Sequence, residues 1–182
     1  MAKSFHIRRI LGAVLSGFAV AAAAQVPAVG QIAPEVHLPD QHGKLRELGE
    51  WHGKWVVLYF YPKDDTPGCT TEACNFRDDL HQLDLLEAQV VGVSVDTSAS
   101  HQAFAQKFKL PFPLLADVKG EVALRYGAIS DWKLFKFARR YTFLIDPQGR
   151  IAKVYLAVQA ARHSEQIVND LKQLRAAWRP AS

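Results

Sequence analysis

The chain has 182 residues, 49% of them hydrophobic and 22% charged, with a formal charge of +4. That composition gives one globular domain with its own core and excludes an intrinsically disordered chain. Lys3, Arg8 and Arg9 account for most of the net positive charge and residues 1–24 hold no acid, so residues 25–182 fall from +4 to +1 and give no electrostatic case for nucleic acid.

Residues 1–24 read as a secretory signal peptide. They have a basic start, an uncharged apolar stretch from Ile10 to Ala24, and a small-residue site at Ala22-Ala23-Ala24, with the cut expected near Ala24. The apolar stretch, about 15 residues, falls short of the roughly 20 that span a bilayer. The expectation is therefore a periplasmic or otherwise exported protein with no stable membrane insertion after cleavage. Arg8-Arg9 gives only weak support for the twin-arginine route over the general secretory one.

Residues 25–182 form the folded domain. Glu35 to Leu38 and Leu45 to Leu48 flank the turn Asp40-Gln41-His42-Gly43 and predict an N-terminal hairpin. Trp55 to Tyr61 is continuously apolar, as in a central strand buried on both faces. Cys69, Ala73, Phe76, Leu80 and Leu83 then recur at helical spacing. Gln89 to Val95 predicts the next strand, and Ser98 the cap of a helix carrying Phe104, Ala105 and Phe108. A short strand over Phe112 to Ala116 and a short helix over Gly120 to Tyr126 follow. Ser130 to Phe137 reads as a loop pinned by its own aromatics. Arg140 to Ile145 and Ile151 to Leu156 predict two strands joined at Asp146-Pro147-Gln148-Gly149. Ser164 begins a last helix with Ile167, Leu171, Leu174 and Trp178 inward, which Pro180 stops. Strands alternating with helices predict an α/β domain: a central mixed sheet flanked by helices, most like the thioredoxin-like fold.

The chemistry concentrates in Pro62-Lys63-Asp64-Asp65-Thr66-Pro67-Gly68-Cys69-Thr70-Thr71-Glu72-Ala73-Cys74, which holds both cysteines of the chain. With Pro67 in the first helical position, Cys69 lies in the opening turn, where unpaired N–H groups and the helix dipole favour an ionised, reactive sulfur. A nearby second thiol can trap whatever the first becomes on oxidation. In an unbroken helix Cys74 lies some 140° around the axis from Cys69 and about 7.5 Å along it, beyond the roughly 7 Å limit for a disulfide. What fits is a switch, reduced with the helix formed and oxidised with its opening turns unwound. Three readings compete: a buried, inert Cys69, a structural disulfide, usual for paired cysteines in an oxidising compartment, and a copper or zinc site recruiting a histidine such as His81.

Pro62-x-x-x-Thr66-x-x-Cys69 resembles the peroxiredoxin signature, and Cys74 five residues on is similar to the bacterioferritin-comigratory (BCP/PrxQ) subfamily. Val93-Ser94-Val95-Asp96, Leu110 to Asp117, Tyr126-Gly127 and Arg140 to Asp146 extend the likeness over roughly Val29 to Leu174. The resemblance implies a thiol peroxidase that reduces hydrogen peroxide and organic hydroperoxides without metal, haem or flavin. It implies that Cys69 attacks the O–O bond and becomes a sulfenic acid, and that Cys74 resolves it as an intramolecular disulfide. It further implies that Thr66 sets its hydroxyl between sulfur and peroxide, that Pro62 shields the sulfur from water, and that Arg140, rather than Arg139, polarises the peroxide. Glu72 reads as a helix-dipole partner outside the chemistry. The implied partners are the peroxide and a thioredoxin-like protein reductant, and an intramolecular disulfide needs only a monomer. Two rivals remain: a thiol–disulfide oxidoreductase acting on proteins, and a copper carrier. Neither needs Thr66 or Arg140.

Overall fold

The computed structural model describes residues 25–132 and 135–179. The signal peptide and the stop at Pro180 lie outside the described residues.

The hairpin is β1 (His37–Pro39) and β2 (Leu45–Glu47), an antiparallel pair. Next comes β3 (Trp55–Phe60), buried at every position. Two helices follow, α1 (Pro67–Asp78) and α2 (Leu80–Leu85), then β4 (Ala88–Ser94), α3 (Ser98–Phe108), β5 (Leu114–Ala116) and α4 (Glu121–Arg125). A second hairpin, β6 (Ile129–Trp132) and β7 (Phe135–Ala138), precedes β8 (Thr142–Ile145), β9 (Ile151–Tyr155) and the last helix, α5 (His163–Ala177). The central sheet has the order β5-β4-β3-β8-β9. Its β3–β4 and β4–β5 pairs are parallel and its β3–β8 and β8–β9 pairs antiparallel, which makes it mixed as expected.

β3 explains why both faces are covered. Alternate side chains of a strand point to opposite sides, so Val57, Tyr59 and Tyr61 join one apolar cluster with Phe76, Leu83, Phe104 and Ile167. Val56, Leu58 and Phe60 join another with Trp51, Val122 and Phe143. Helices α1, α2, α3 and α5 thus lie on the first face, and α4 lies on the second. Gly92 of β4 pairs with Tyr59 of β3, and a Cβ there would stand 2.8 Å from the Tyr59 ring and from Leu114 Cδ2. Only glycine lets that large ring sit flat against its neighbouring strand.

Three expectations are corrected. The apolar stripe from Cys69 to Leu83 is not one helix, because the chain breaks at Asp79 (φ −89°, ψ 3°), whose carboxylate accepts a hydrogen bond from Ser164 Oγ at 2.7 Å. Thr97, not Ser98, caps α3, its hydroxyl accepting from Ser100 N at 3.2 Å. The expected loop is not seen at residues 130–132 and 135–137, which belong to β6 and β7, paired from Ile129↔Ala138 to Trp132↔Phe135. The expected strand starts at Phe112 and Arg140 are also late by two residues, at Leu114 and Thr142.

Candidate active site

The end of β3, the loop 61–66 and the start of α1 build the site. Thr66 is the N-cap of α1 in extended conformation (φ −91°, ψ 149°) and Pro67 occupies the first turn. Pro67 needs no hydrogen-bond partner for its nitrogen there and its fixed φ suits the helix. The Thr66 hydroxyl does not cap the helix. It donates to the Lys63 carbonyl at 3.0 Å, which leaves its oxygen lone pairs available to an incoming donor.

Cys69, in the first turn, is buried at 2% exposure, and both it and Cys74 are free thiols. Arg140 reaches the sulfur from the far side of the sequence. Because β8 runs antiparallel to β3, with Tyr59 opposite Thr142 and Phe60 N donating to Tyr141 O, the residue just before β8 arrives where α1 begins. Arg140 Nη2 donates to Cys69 Sγ at 3.2 Å. Its neighbour Arg139 turns away, donating to the Tyr141 hydroxyl at 3.3 Å. Gly68 keeps the approach open, since a Cβ there would lie 3.3 Å from Arg140 Nη2.

Glu72, expected only as a helix-dipole partner, contacts the arginine that holds the sulfur. One turn beyond Cys69 it faces inward, fully buried, and its Oε2 accepts from Arg140 Nη1 while Oε1 has no hydrogen-bond partner among the described residues. Burial pushes its carboxyl up to about 7, against the opposing pull of the Arg140 charge and hydrogen bond. Arg140 moves up as well: its desolvation is outweighed by Glu72 and Cys69 beside it. The guanidinium therefore bridges a carboxylate and a sulfur, with its fork oriented by the first and aimed at the second.

Sequence reasoning also missed a buried polar cluster under the loop. Asp64 accepts from Tyr61 OH at 2.7 Å and Ser100 Oγ at 2.7 Å, and its carboxylate lies 2.9 Å from His101 Nδ1. Its backbone N–H donates to Asp96 Oδ2 at 2.9 Å. Burial raises the Asp64 carboxyl, yet the bonds from His101, Ser100 and Tyr61 outweigh it and hold the group below its ordinary range. Asp65 adopts a left-handed conformation (φ 55°) and pairs with Lys107 at 2.6 Å. Two successive aspartates thus tie the loop to α3. The alternation Tyr61-x-x-Asp64 gave no periodic signal, and His101 lies 37 residues away from Asp64.

The structure thus brings Cys69, Arg140 and Glu72 together, with Thr66 three residues before the sulfur at the same helix end. Pro62 is half-buried in the loop ahead of them. Cys74 is half-buried farther along the same unbroken helix, so the reduced chain holds the helix-formed state. Among the described residues no group of three histidine, cysteine, aspartate or glutamate side chains gathers as metal ligands would, and none of the helices is long and apolar enough to cross a membrane.

Comparison with known proteins is consistent with this geometry. Residues 29–154 match the AhpC/TSA family model. Peroxiredoxin Bcp of Bacillus subtilis is 42% identical over 153 residues, spanning 80% of this chain and 96% of the relative. The crystal structure of peroxidoxin BcpB from Mycobacterium tuberculosis superposes with a TM-score of 0.77 at 33% identity, covering 81% of this chain and 97% of that one. A Xanthomonas campestris bacterioferritin comigratory protein, whose structures address its alkyl peroxide reduction activity, gives a TM-score of 0.72 at 32% identity over 76% of this chain and 90% of its own.

Proposed function

The chain belongs to the AhpC/TSA family and, within it, to the Bcp/peroxiredoxin Q thiol peroxidases, and from that premise we propose that Cys69 is its peroxidatic sulfur and Cys74 its resolving one. The observation that carries the assignment is the Arg140 Nη2–Cys69 Sγ contact of 3.2 Å at the opening turn of α1. The Cys69 thiolate attacks the terminal oxygen of a hydroperoxide. An S–O bond forms, the O–O bond breaks, and the departing alkoxide or hydroxide takes up a proton and leaves as alcohol or water. Arg140, held by Glu72, stabilises the charge as it passes from sulfur to leaving oxygen. Thr66 accepts the peroxide O–H and orients it, and Pro62 shields the pocket. Cys74 then condenses with the Cys69 sulfenic acid once the first turns of α1 unwind.

Substrates proposed are hydrogen peroxide and organic hydroperoxides, the second class supported by the alkyl peroxide reduction of the Xanthomonas campestris relative. A thioredoxin-like protein would reduce the disulfide, and the chain would act as a monomer because both sulfurs belong to one helix. Export follows from the basic start and the apolar run Ile10 to Ala24, and N-terminal sequencing of the protein from its native envelope tests it. A turnover assay with peroxide and a thioredoxin-like protein as the sole reductant tests the activity. Wild type consumes peroxide catalytically, Cys69→Ser does not, and Cys74→Ser stops at one equivalent. Fast disulfide exchange with slow peroxide consumption would favour a protein thiol–disulfide oxidoreductase.

A further inference from the structure

Helix α1 is buried on both sides of Cys74, at Cys69, Glu72 and Ala73 as at Phe76, but its side-chain hydrogen bonds to the rest of the protein differ on the two sides. Behind it, three successive residues are fixed to different parts of the protein. Asn75 Nδ2 donates to the carbonyls of Ala160 at 3.3 Å and Ala161 at 3.0 Å. Phe76 is fully buried, with its ring 5.0 Å from Tyr59 and 5.6 Å from His163. Arg77 Nη1 donates to the Phe108 carbonyl at the end of α3 at 2.6 Å, and its Nε donates to Asp78 Oδ1 at 2.8 Å. Ahead of Cys74, among the described residues, the side-chain hydrogen bonds reaching α1 from elsewhere come from Arg140, to Cys69 and Glu72. The Arg140–Cys69 bond is strongest to an anionic sulfur and weakens when that sulfur becomes a neutral sulfenic acid.

We infer that Arg77, seconded by Asn75, is a positioning residue for resolution: it fixes Cys74 and the helix behind it, so that the turns carrying Cys69 are the part that moves. This rests on Cys74 being the resolving thiol. Arg77 stands three residues after Cys74, on the same helical face. Anchored to the Phe108 carbonyl, it sets a positive charge on the helical face of the sulfur that must attack as an anion. In that attack the Cys74 thiolate bonds to the Cys69 sulfenic sulfur and the S–O bond breaks. Hydroxide leaves and is protonated to water; the Cys74 sulfur is oxidised and the Cys69 sulfur reduced. Loosening Arg77 would free Cys74 to wander and leave the sulfenic acid exposed to a second peroxide, the route to sulfinic acid.

The test separates the two half-reactions in single-turnover experiments with hydrogen peroxide on the reduced protein. Arg77→Ala is expected to change the second-order oxidation of Cys69 by less than about twofold. It slows appearance of the Cys69–Cys74 disulfide by about fivefold or more and raises the sulfinic fraction at excess peroxide in proportion, while Arg77→Lys recovers most of the resolving rate. Should Arg77→Ala not fold, Arg77→Gln, which keeps a donor for Phe108 but no charge, is read in the same way. A disulfide formed at the wild-type rate in the charge-free variants overturns the inference alone, as does a parallel loss of both half-reactions. Failure of the wild type to form that disulfide overturns the reading of Cys74 and the inference with it.

Discussion

Arg140 lies 71 residues from Cys69 in sequence, yet its guanidinium donates to that sulfur at 3.2 Å while its other arm holds buried Glu72. The antiparallel β3–β8 pairing makes this possible, because it returns the chain to the end of the sheet where α1 starts. Reactivity at Cys69 therefore depends on sheet register as much as on the loop beside it.

Glu72 predicts a pH-dependent stability. Its folded value of about 7 lies above the ordinary 4.5, so the stability it lends is complete below about 4.5 and lost as pH rises through about 7. Buried His163 works the other way: burial lowers it from 6.5 to about 4, so its contribution holds above 6.5 and is lost as pH falls through 4. Comparing reduced wild type with Glu72→Gln cancels the histidine. From pH 4.5 to 7.5, wild type loses about 3 kcal/mol relative to the variant in denaturant melts. A difference independent of pH would contradict the burial argument.

Thr66→Val keeps the shape of the side chain and removes the hydroxyl. If that oxygen accepts the peroxide O–H, the oxidation rate of Cys69 falls about tenfold or more, the worth of one such bond, and Thr66→Ser stays close to wild type. Rapid-mixing fluorescence measures both.

Asp64→Ala removes the acceptor shared by Tyr61, Ser100 and His101, the last fully buried. A loss of about 1–3 kcal/mol is expected, read as a Tm lower by several degrees. An unchanged Tm would mean that the loop is held by other means.

Gly92→Ala places a methyl group 2.8 Å from the Tyr59 ring and from Leu114 Cδ2, both in the core. Overpacking of this kind costs about 1–3 kcal/mol, and chemical denaturation of the reduced protein measures it.

Much of this was legible in the sequence because it is local. The apolar run at β3, the helical spacing after Cys69 and the turn at Asp146-Pro147-Gln148-Gly149 each announce their element through nearest neighbours. Of the residues the resemblance around Pro62, Thr66, Cys69 and Arg140 pointed to, Cys69 and Arg140 meet at the opening turn of α1, whose N-cap is Thr66. What escaped depends on distance. Glu72 read only as a helix-dipole partner because nothing in its own turn reveals that Arg140 will cover it. Asp64 and His101 meet only when α3 packs against the loop, and the break at Asp79 rests on Ser164 from the last helix. The β6–β7 pairing was masked by a composition that suits a pinned loop as well as a short hairpin.

The most direct test of the account is the second-order rate at which peroxide oxidises Cys69 in the reduced protein, measured by stopped flow for wild type and Arg140→Ala. Wild type is expected to far outpace free cysteine, and the substitution to lower the rate by about 10²–10³-fold, as for loss of one preorganised donor. An Arg140→Ala rate equal to wild type, or a wild-type rate no faster than free cysteine, would contradict it.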